Sequence, residues 1–143
     1  MTEFRPVVGP EDRRWLRWLD AECFPEDKPL ILDAAHWSLV WHGPVAVAFC
    51  GWCRHLEEGF HYRAGVHESA RSQGIQKAMI AYRENAMRDA GIKSAVTYTE
   101  AYSAASMRSL IASGYRPFEA TATTGLVINP AYWRTMVYWR KAL

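Results

Sequence analysis

Apolar and polar positions change their period several times along this chain, and each change marks an element. Glu3 to Val8 reads as a short strand. From Glu11 to Cys23, the residues Trp15, Leu16, Trp18, Leu19 and Cys23 recur at helical spacing, behind a Gly9-Pro10 step that suits a helix start. Pro25 ends this helix. Residues 25–35 read as an irregular segment with room for a short helical turn. Two strands follow, His36 to Trp41 and Val45 to Arg54, joined at His42-Gly43-Pro44. A second turn, Leu56-Glu57-Glu58-Gly59, leads into a strand from Phe60 to Val66. A long amphipathic helix is predicted from Gln76 to Ala90. Its apolar face would be Ala78, Met79, Tyr82, Ala86, Met87 and Ala90, and Gly91 stops it. Lys93 to Thr99 is another strand and Ser103 to Ser113 a shorter helix closed by Gly114. The last strands are Tyr115 to Ala122 and Tyr132 to Arg140, with a loop over Thr121 to Pro130.

Hairpins combined with a strand-helix-strand crossover predict an α/β fold of the α+β type, a mixed sheet with helices on both faces. No repeat or linker interrupts residues 1–143, so a single domain is expected. A formal net charge of +2, without a Lys/Arg cluster, argues against nucleic acid as a partner. No apolar run has the length of a membrane span, and the opening residues do not read as a secretory leader. The expectation is a cytoplasmic protein with reduced cysteines. Cys50-Gly51-Trp52-Cys53 has C-x-x-C spacing, but a structural zinc site needs a second pair, and Cys23 alone remains. A redox pair wants a helix start, whereas this one lies in a strand, where residues three apart face opposite ways. No metal site is expected, and the thiols read as packed side chains.

The stretch with the most chemical content is Val66-His67-Glu68-Ser69-Ala70-Arg71-Ser72-Gln73-Gly74-Ile75-Gln76. A strand, a glycine turn and a helix start together cradle an anion, because the first N–H groups of a helix lack intrahelical partners and carry partial positive charge. A phosphate or pyrophosphate is the usual occupant.

Arg71-Ser72-Gln73-Gly74-Ile75-Gln76 resembles the R-x-x-G-x-G/A motif of the GNAT superfamily of N-acetyltransferases. It matches at Arg71 and Gly74 and carries Gln76 where that family has glycine or alanine. Ser103-Ala104-Ala105-Ser106-Met107-Arg108, closed by Gly114-Tyr115, resembles a second family segment, and Tyr138-Trp139-Arg140-Lys141 its final strand. The resemblance implies a mostly antiparallel central sheet of about six to seven strands. It also implies acetyl-CoA as co-substrate, held by the backbone of Arg71, Ser72, Gln73, Gly74, Ile75 and Gln76. Val66 would pair with the pantetheine arm, and Ser103 and Ser106 would supply polar contacts. A homodimer is a further implication.

The activity so implied moves an acetyl group from acetyl-CoA to a primary amine, by direct attack in a ternary complex. The acceptor is a small molecule or a protein, and a nucleobase amine is a variant of the same reading. An amine with a pKa of about 10.4 is mostly protonated at neutral pH, so a base or water chain must take its proton. His61, Glu100 and Glu58 are the candidate bases; a histidine titrating near pH ~6.5 suits that work. Relatives place an acid tyrosine where this chain has Leu110, which leaves Tyr102 or Tyr98 as substitutes. Both also read as ordinary strand and loop aromatics. Trp37, Trp41 and Trp52, with Trp15 and Trp18, read either as packing or as an aromatic wall for the acceptor. A different class stays open: a degenerate GNAT domain that binds CoA or a protein partner without catalysis.

Overall fold

The structure, a computed structural model, describes residues 2–119 and 136–143. In chain order it contains β1 (Thr2–Pro6), α1 (Gly9–Cys23), a 3-10 turn (Leu32–Ala34), β2 (His36–His42), β3 (Val45–His55) and β4 (Glu58–Val66). A second 3-10 turn (Glu68–Ala70), α2 (Ile75–Asp89), β5 (Ser94–Glu100), α3 (Ala104–Ala112), β6 (Arg116–Phe118) and β7 (Met136–Ala142) follow. The strands form one seven-stranded sheet in the order β1-β2-β3-β4-β5-β7-β6. The β4–β5 pair is parallel, and the β1–β2, β2–β3, β5–β7 and β6–β7 pairs are antiparallel. This is the mixed, mostly antiparallel sheet the periodicity and the resemblance predict. The expected loop over 121–130, the end of the sixth strand and the first residues of the last one lie outside the described residues. Contacts divide the chain into two compact units, residues 1–53 with 61–83, and residues 54–60 with 84–143.

In the first unit the strand alternation sorts side chains to two faces. Trp37, Leu39, Trp41 and Phe49 pack with Leu16 and Leu19 of α1, while Val40, Ala48 and Cys50 pack with Ile75 and Met79 of α2. Burying each such leucine or isoleucine stabilises by about 1.5–3 kcal/mol, so helices on both faces are what this pattern favours. Val40 pairs with Ala48 but Trp41 pairs with Ala46, which makes Val47 the extra residue of a β-bulge. Two expected positions differ here. Trp18 is exposed rather than part of α1's buried stripe, and Ala78 of α2 faces solvent. On α2 the bulky Ile75, Met79 and Ile80 set the phase, and a small alanine has too little area to compete. Trp37, Trp41 and Trp52 are buried, so these three tryptophans pack the sheet.

In the second unit β5 and β7 pair from Ser94–Ala142 to Glu100–Met136. Phe60 stacks on Tyr98 at 5.8 Å between ring centroids, Tyr98 meets Tyr138 at 6.1 Å, and Tyr138 meets Phe118 at 6.2 Å. β7 lies between β5 and β6 although it comes after both in the chain. The end of α2 is closed by Gly91 at φ 81°, where Ile92 N–H donates to Met87 O at 3.0 Å and Gly91 N–H to Arg88 O at 2.9 Å. Ala90 is exposed, against the expected apolar face. A second correction concerns Glu58. The hairpin turn is only Leu56-Glu57, with Leu56 at φ 54°, so Glu58 is the first residue of β4 and not a solvated turn residue.

Candidate functional site

The bulge in β3 has a direct use. It presents Val47 O to the N–H of His67 at 2.8 Å, which fixes the chain where it leaves β4. Next, Arg71 Nε donates to Val66 O at 3.2 Å and folds the turn back on the strand end. Between them His67 organises the short 3-10 turn. Ser69 N–H donates to His67 Nδ1 at 3.2 Å, and the Ser69 hydroxyl lies 2.7 Å from the same nitrogen. Nδ1 thus faces into the turn and accepts the Ser69 N–H. Trp18 of α1 stacks on the imidazole, 5.2 Å between centroids and 22° from parallel. Ala70 and Ile75 are buried at the two ends of the turn, while Arg71, Ser72, Gln73 and Gly74 are all exposed.

The turn itself is unusual backbone. Ser72 has φ 64° and Gly74 φ 77°. Serine rarely adopts the left-handed region, whereas glycine does so without steric cost. A Cβ on Gly74 would meet nothing within 4 Å, so glycine is needed there for the backbone conformation and not to clear space within the protein. Gly74 O accepts the first intrahelical bond of α2 from Ala78 N–H at 3.1 Å. The N–H groups of Ile75, Gln76 and Lys77 precede that donor and have no intrahelical acceptor. Exposed residues, a left-handed kink and a helix start carrying free donors together suit a phosphate-sized anion.

His61 belongs to the same unit, on β4, and is 5% exposed. The other candidates lie in the second unit. Glu58 is fully engaged: Arg140 Nε donates to Oε2 and Nη2 to Oε1, both at 2.9 Å, and the Ser94 hydroxyl donates to Oε2 at 2.8 Å. Burial pushes this carboxyl up, but the Arg140 and Ser94 hydrogen bonds and the arginine charge outweigh it and hold the group below the usual glutamate range. Glu100 ends β5, half-buried, and its carbonyl accepts Ser103 N–H at 3.0 Å. Tyr102 is 77% exposed. Ser103 is the N-cap residue of α3 without a side-chain cap bond, and Ser106 is half-buried one turn on. Leu110 is core.

Trp15 and Trp18 with Glu11, Arg14 and Val45 line a shallow hollow of about 490 Å³. Cys23, Cys50 and Cys53 are free thiols, each raised in pKa chiefly by burial. Among the described residues no group of three or more His, Cys, Asp and Glu side chains could hold a metal ion, and no helix is long and apolar enough to cross a membrane.

Sequence reasoning did not single out one feature. Asp20, 4% exposed on α1, pairs with Arg63 of β4 at 2.8 Å. The available signal was a carboxylate next to Leu19 and four residues after Leu16, on the face of the helix that had to be buried.

No protein-family model matches the sequence, and no curated protein sequence matches it. Solved structures do match in fold. A Bacillus subtilis acetyltransferase in complex with CoA is similar with a TM-score of 0.78 at 14% identity, covering 100% of this chain and 99% of that one. The paia N-acetyltransferase of Thermoplasma acidophilum, in complex with coenzyme A, has a TM-score of 0.75 at 10% identity, covering 100% and 99%. A GNAT family acetyltransferase from Elizabethkingia anophelis with acetyl-CoA bound has a TM-score of 0.73 at 15% identity, covering 99% and 98%. The chain has the GNAT acetyltransferase fold.

Proposed function

We propose that residues 1–143 form one acetyltransferase domain that moves an acetyl group from acetyl-CoA to a primary amine. The observation that carries this reading is the turn from Arg71 to Gly74, exposed and left-handed at Ser72 and Gly74, directly before the free N–H groups of α2. That it occurs in a fold shared with CoA-bound acetyltransferases supports a CoA pyrophosphate as the anion.

In this reading the backbone from Arg71 to Gln76 holds the pyrophosphate. Arg71 works from behind, through Val66 O, and keeps the turn closed. Ser103 and Ser106 add polar contacts. The acceptor nitrogen attacks the thioester carbonyl carbon directly, a C–N bond forms, the C–S bond breaks and CoA leaves as the thiolate. A backbone N–H near the end of β4 faces the developing oxyanion. His61 and Glu100 are the bases carried forward, acting directly or through water. Glu58 is set aside, because a carboxylate holding three hydrogen bonds at depressed pKa is a poor proton acceptor. Tyr102 stands as the candidate acid for the thiolate, which with a pKa of about 8.5 needs little help.

Calorimetric titration with acetyl-CoA, on the wild type and on Gly74→Val, tests the cofactor site. The expected result is micromolar binding that the variant loses, since valine strains at φ 77°. Release of CoA thiol on a panel of primary amines then tests turnover. Binding without turnover would favour a CoA-binding module, and no binding in the wild type would sink the acetyltransferase reading.

A further inference from the structure

We propose that His67 and Trp18 are positioning residues for the cofactor turn. The imidazole templates the chain just before Arg71, the indole reaches across from α1 to hold the imidazole, and together they set the affinity for acetyl-CoA. The inference rests on the acetyltransferase reading, because it names what shapes the turn that receives the pyrophosphate.

His67 is engaged through its backbone, its Nδ1 and its ring face. Its N–H donates to Val47 O at 2.8 Å, and its carbonyl accepts Ala70 N–H at 2.9 Å. Nδ1 accepts Ser69 N–H at 3.2 Å, and Trp18 stacks on the ring with 5.2 Å between centroids. A side chain that accepts the N–H two residues on is the pattern asparagine and aspartate make in an Asx turn. Here an imidazole makes it, and an imidazole also offers a flat face that another element can grip. Trp18 supplies that grip. It is 43% exposed, so packing in the core does not account for it. It is braced by a line of rings instead: Trp18 meets Trp15 edge-on at 5.8 Å, and Trp15 meets Trp41 at 5.6 Å, which is 7% exposed.

The turn needs holding. Arg71, Ser72, Gln73 and Gly74 are exposed, and Ser72 sits at φ 64°, a region serine seldom adopts. Unrestrained, such a segment samples other shapes, and its apparent affinity falls in proportion to the fraction in the binding shape. Two side-chain restraints act on its N-terminal side, Arg71 Nε on Val66 O and His67 Nδ1 on Ser69 N–H. The first comes from the turn itself. The second is tied, through the stack on Trp18, to a helix far away in the chain.

The test uses the full chain as wild type, His67→Ala, His67→Asn, Trp18→Leu and the double variant of the last two. The calorimetric Kd for acetyl-CoA is measured with hydrogen exchange at the Ser69 amide and with acceptor KM at saturating acetyl-CoA. His67→Ala removes the acceptor and the ring. It is expected to speed Ser69 exchange and raise the Kd about tenfold, with acceptor KM within about twofold. His67→Asn keeps an acceptor for Ser69 N–H but loses the ring, and Trp18→Leu keeps the imidazole but loses its grip, so each should raise the Kd about threefold. The double variant should bind no worse than either, since the indole then has no ring to hold. If His67→Ala does not fold, the other three carry the test. An asparagine variant as weak as the alanine one would overturn the proposal. So would losses from Trp18→Leu and His67→Asn that multiply, faster Ser69 exchange with an unchanged Kd, or equal losses for acceptor and acetyl-CoA. A folded wild type that does not bind acetyl-CoA would overturn the acetyltransferase reading and this inference together, a result distinct from those.

Discussion

The two ion pairs of β4 use the same chemistry in different surroundings. Asp20–Arg63, in the first unit, has side chains 5% and 17% exposed, and one further atom of each partner bonds to backbone: Leu30 N–H donates to Asp20 Oδ2, and Arg63 Nη1 donates to Lys28 O. Glu58–Arg140, in the second unit, has side chains 23% and 40% exposed, and it is a two-pronged carboxylate–guanidinium fork joined by Ser94. Water can take over for a lost partner in the second pair and much less so in the first. The comparison teaches that burial, and not bond length, decides what each pair is worth. The first pair is costly to break and directs a loop. The second adds modest stability to the strand start.

Asp20→Ala should break this contrast most severely. It leaves the Arg63 guanidinium, 17% exposed, with only the exposed Asp27 carboxylate 4.0 Å away, and urea unfolding should show a loss of about 3 kcal/mol. Replacing both partners with methionine should return most of that stability, because removing a buried pair together spares the unpaired charge. The same double variant should still expose the Leu30 amide to exchange, which separates stability from loop placement. Glu58→Gln should cost less, about 1–2 kcal/mol in the same assay, since Arg140 can turn to solvent. Because the Glu58 carboxyl is held low in the folded protein, its contribution is fully present above the unfolded pKa, about 4.3, and is lost as pH falls through the folded value. Thermal melts of wild type and Glu58→Gln should therefore differ at neutral pH and converge once the pH has fallen below the folded value. The smallest effect belongs to Ser94→Ala, about 0.5–1.5 kcal/mol for one hydrogen bond, and it should fade over the same acid range.

What could be read from sequence follows the range of the forces involved. Strand alternation at Leu39-Val40-Trp41 and the glycine turn at Gly74 are local, and both emerge in the structure as elements where the pattern put them. The mostly antiparallel sheet of about six to seven strands needed the resemblance as well as the pattern. Local patterns failed where a tertiary partner overrides composition. Glu57-Glu58 looks like a solvated pair, yet Glu58 starts a strand because Arg140, 82 residues away, receives it. Ala78 and Ala90 match the helical period of an apolar face but are too small to set it. Trp18 matches α1's stripe and instead leaves it to stack on His67. The Asp20–Arg63 pair went unread for the same reason: a carboxylate on the buried face of α1 is a signal, but the partner that receives it lies on a different element.

The placement of β7 between β5 and β6 has a consequence for how the chain acquires its shape. During synthesis β6 emerges before the strand that will flank it. Until Met136–Ala142 arrive, Arg116–Phe118 have no neighbour in the sheet, and β5 lacks the antiparallel partner for all seven of its residues. The β2–β3 and β3–β4 connections need only short turns to close, whereas this half must wait for a strand to be threaded between two others. A nascent chain that has exposed β6 but not β7 therefore carries bare strand edges, the state in which a chaperone or a second nascent copy would find it most adhesive.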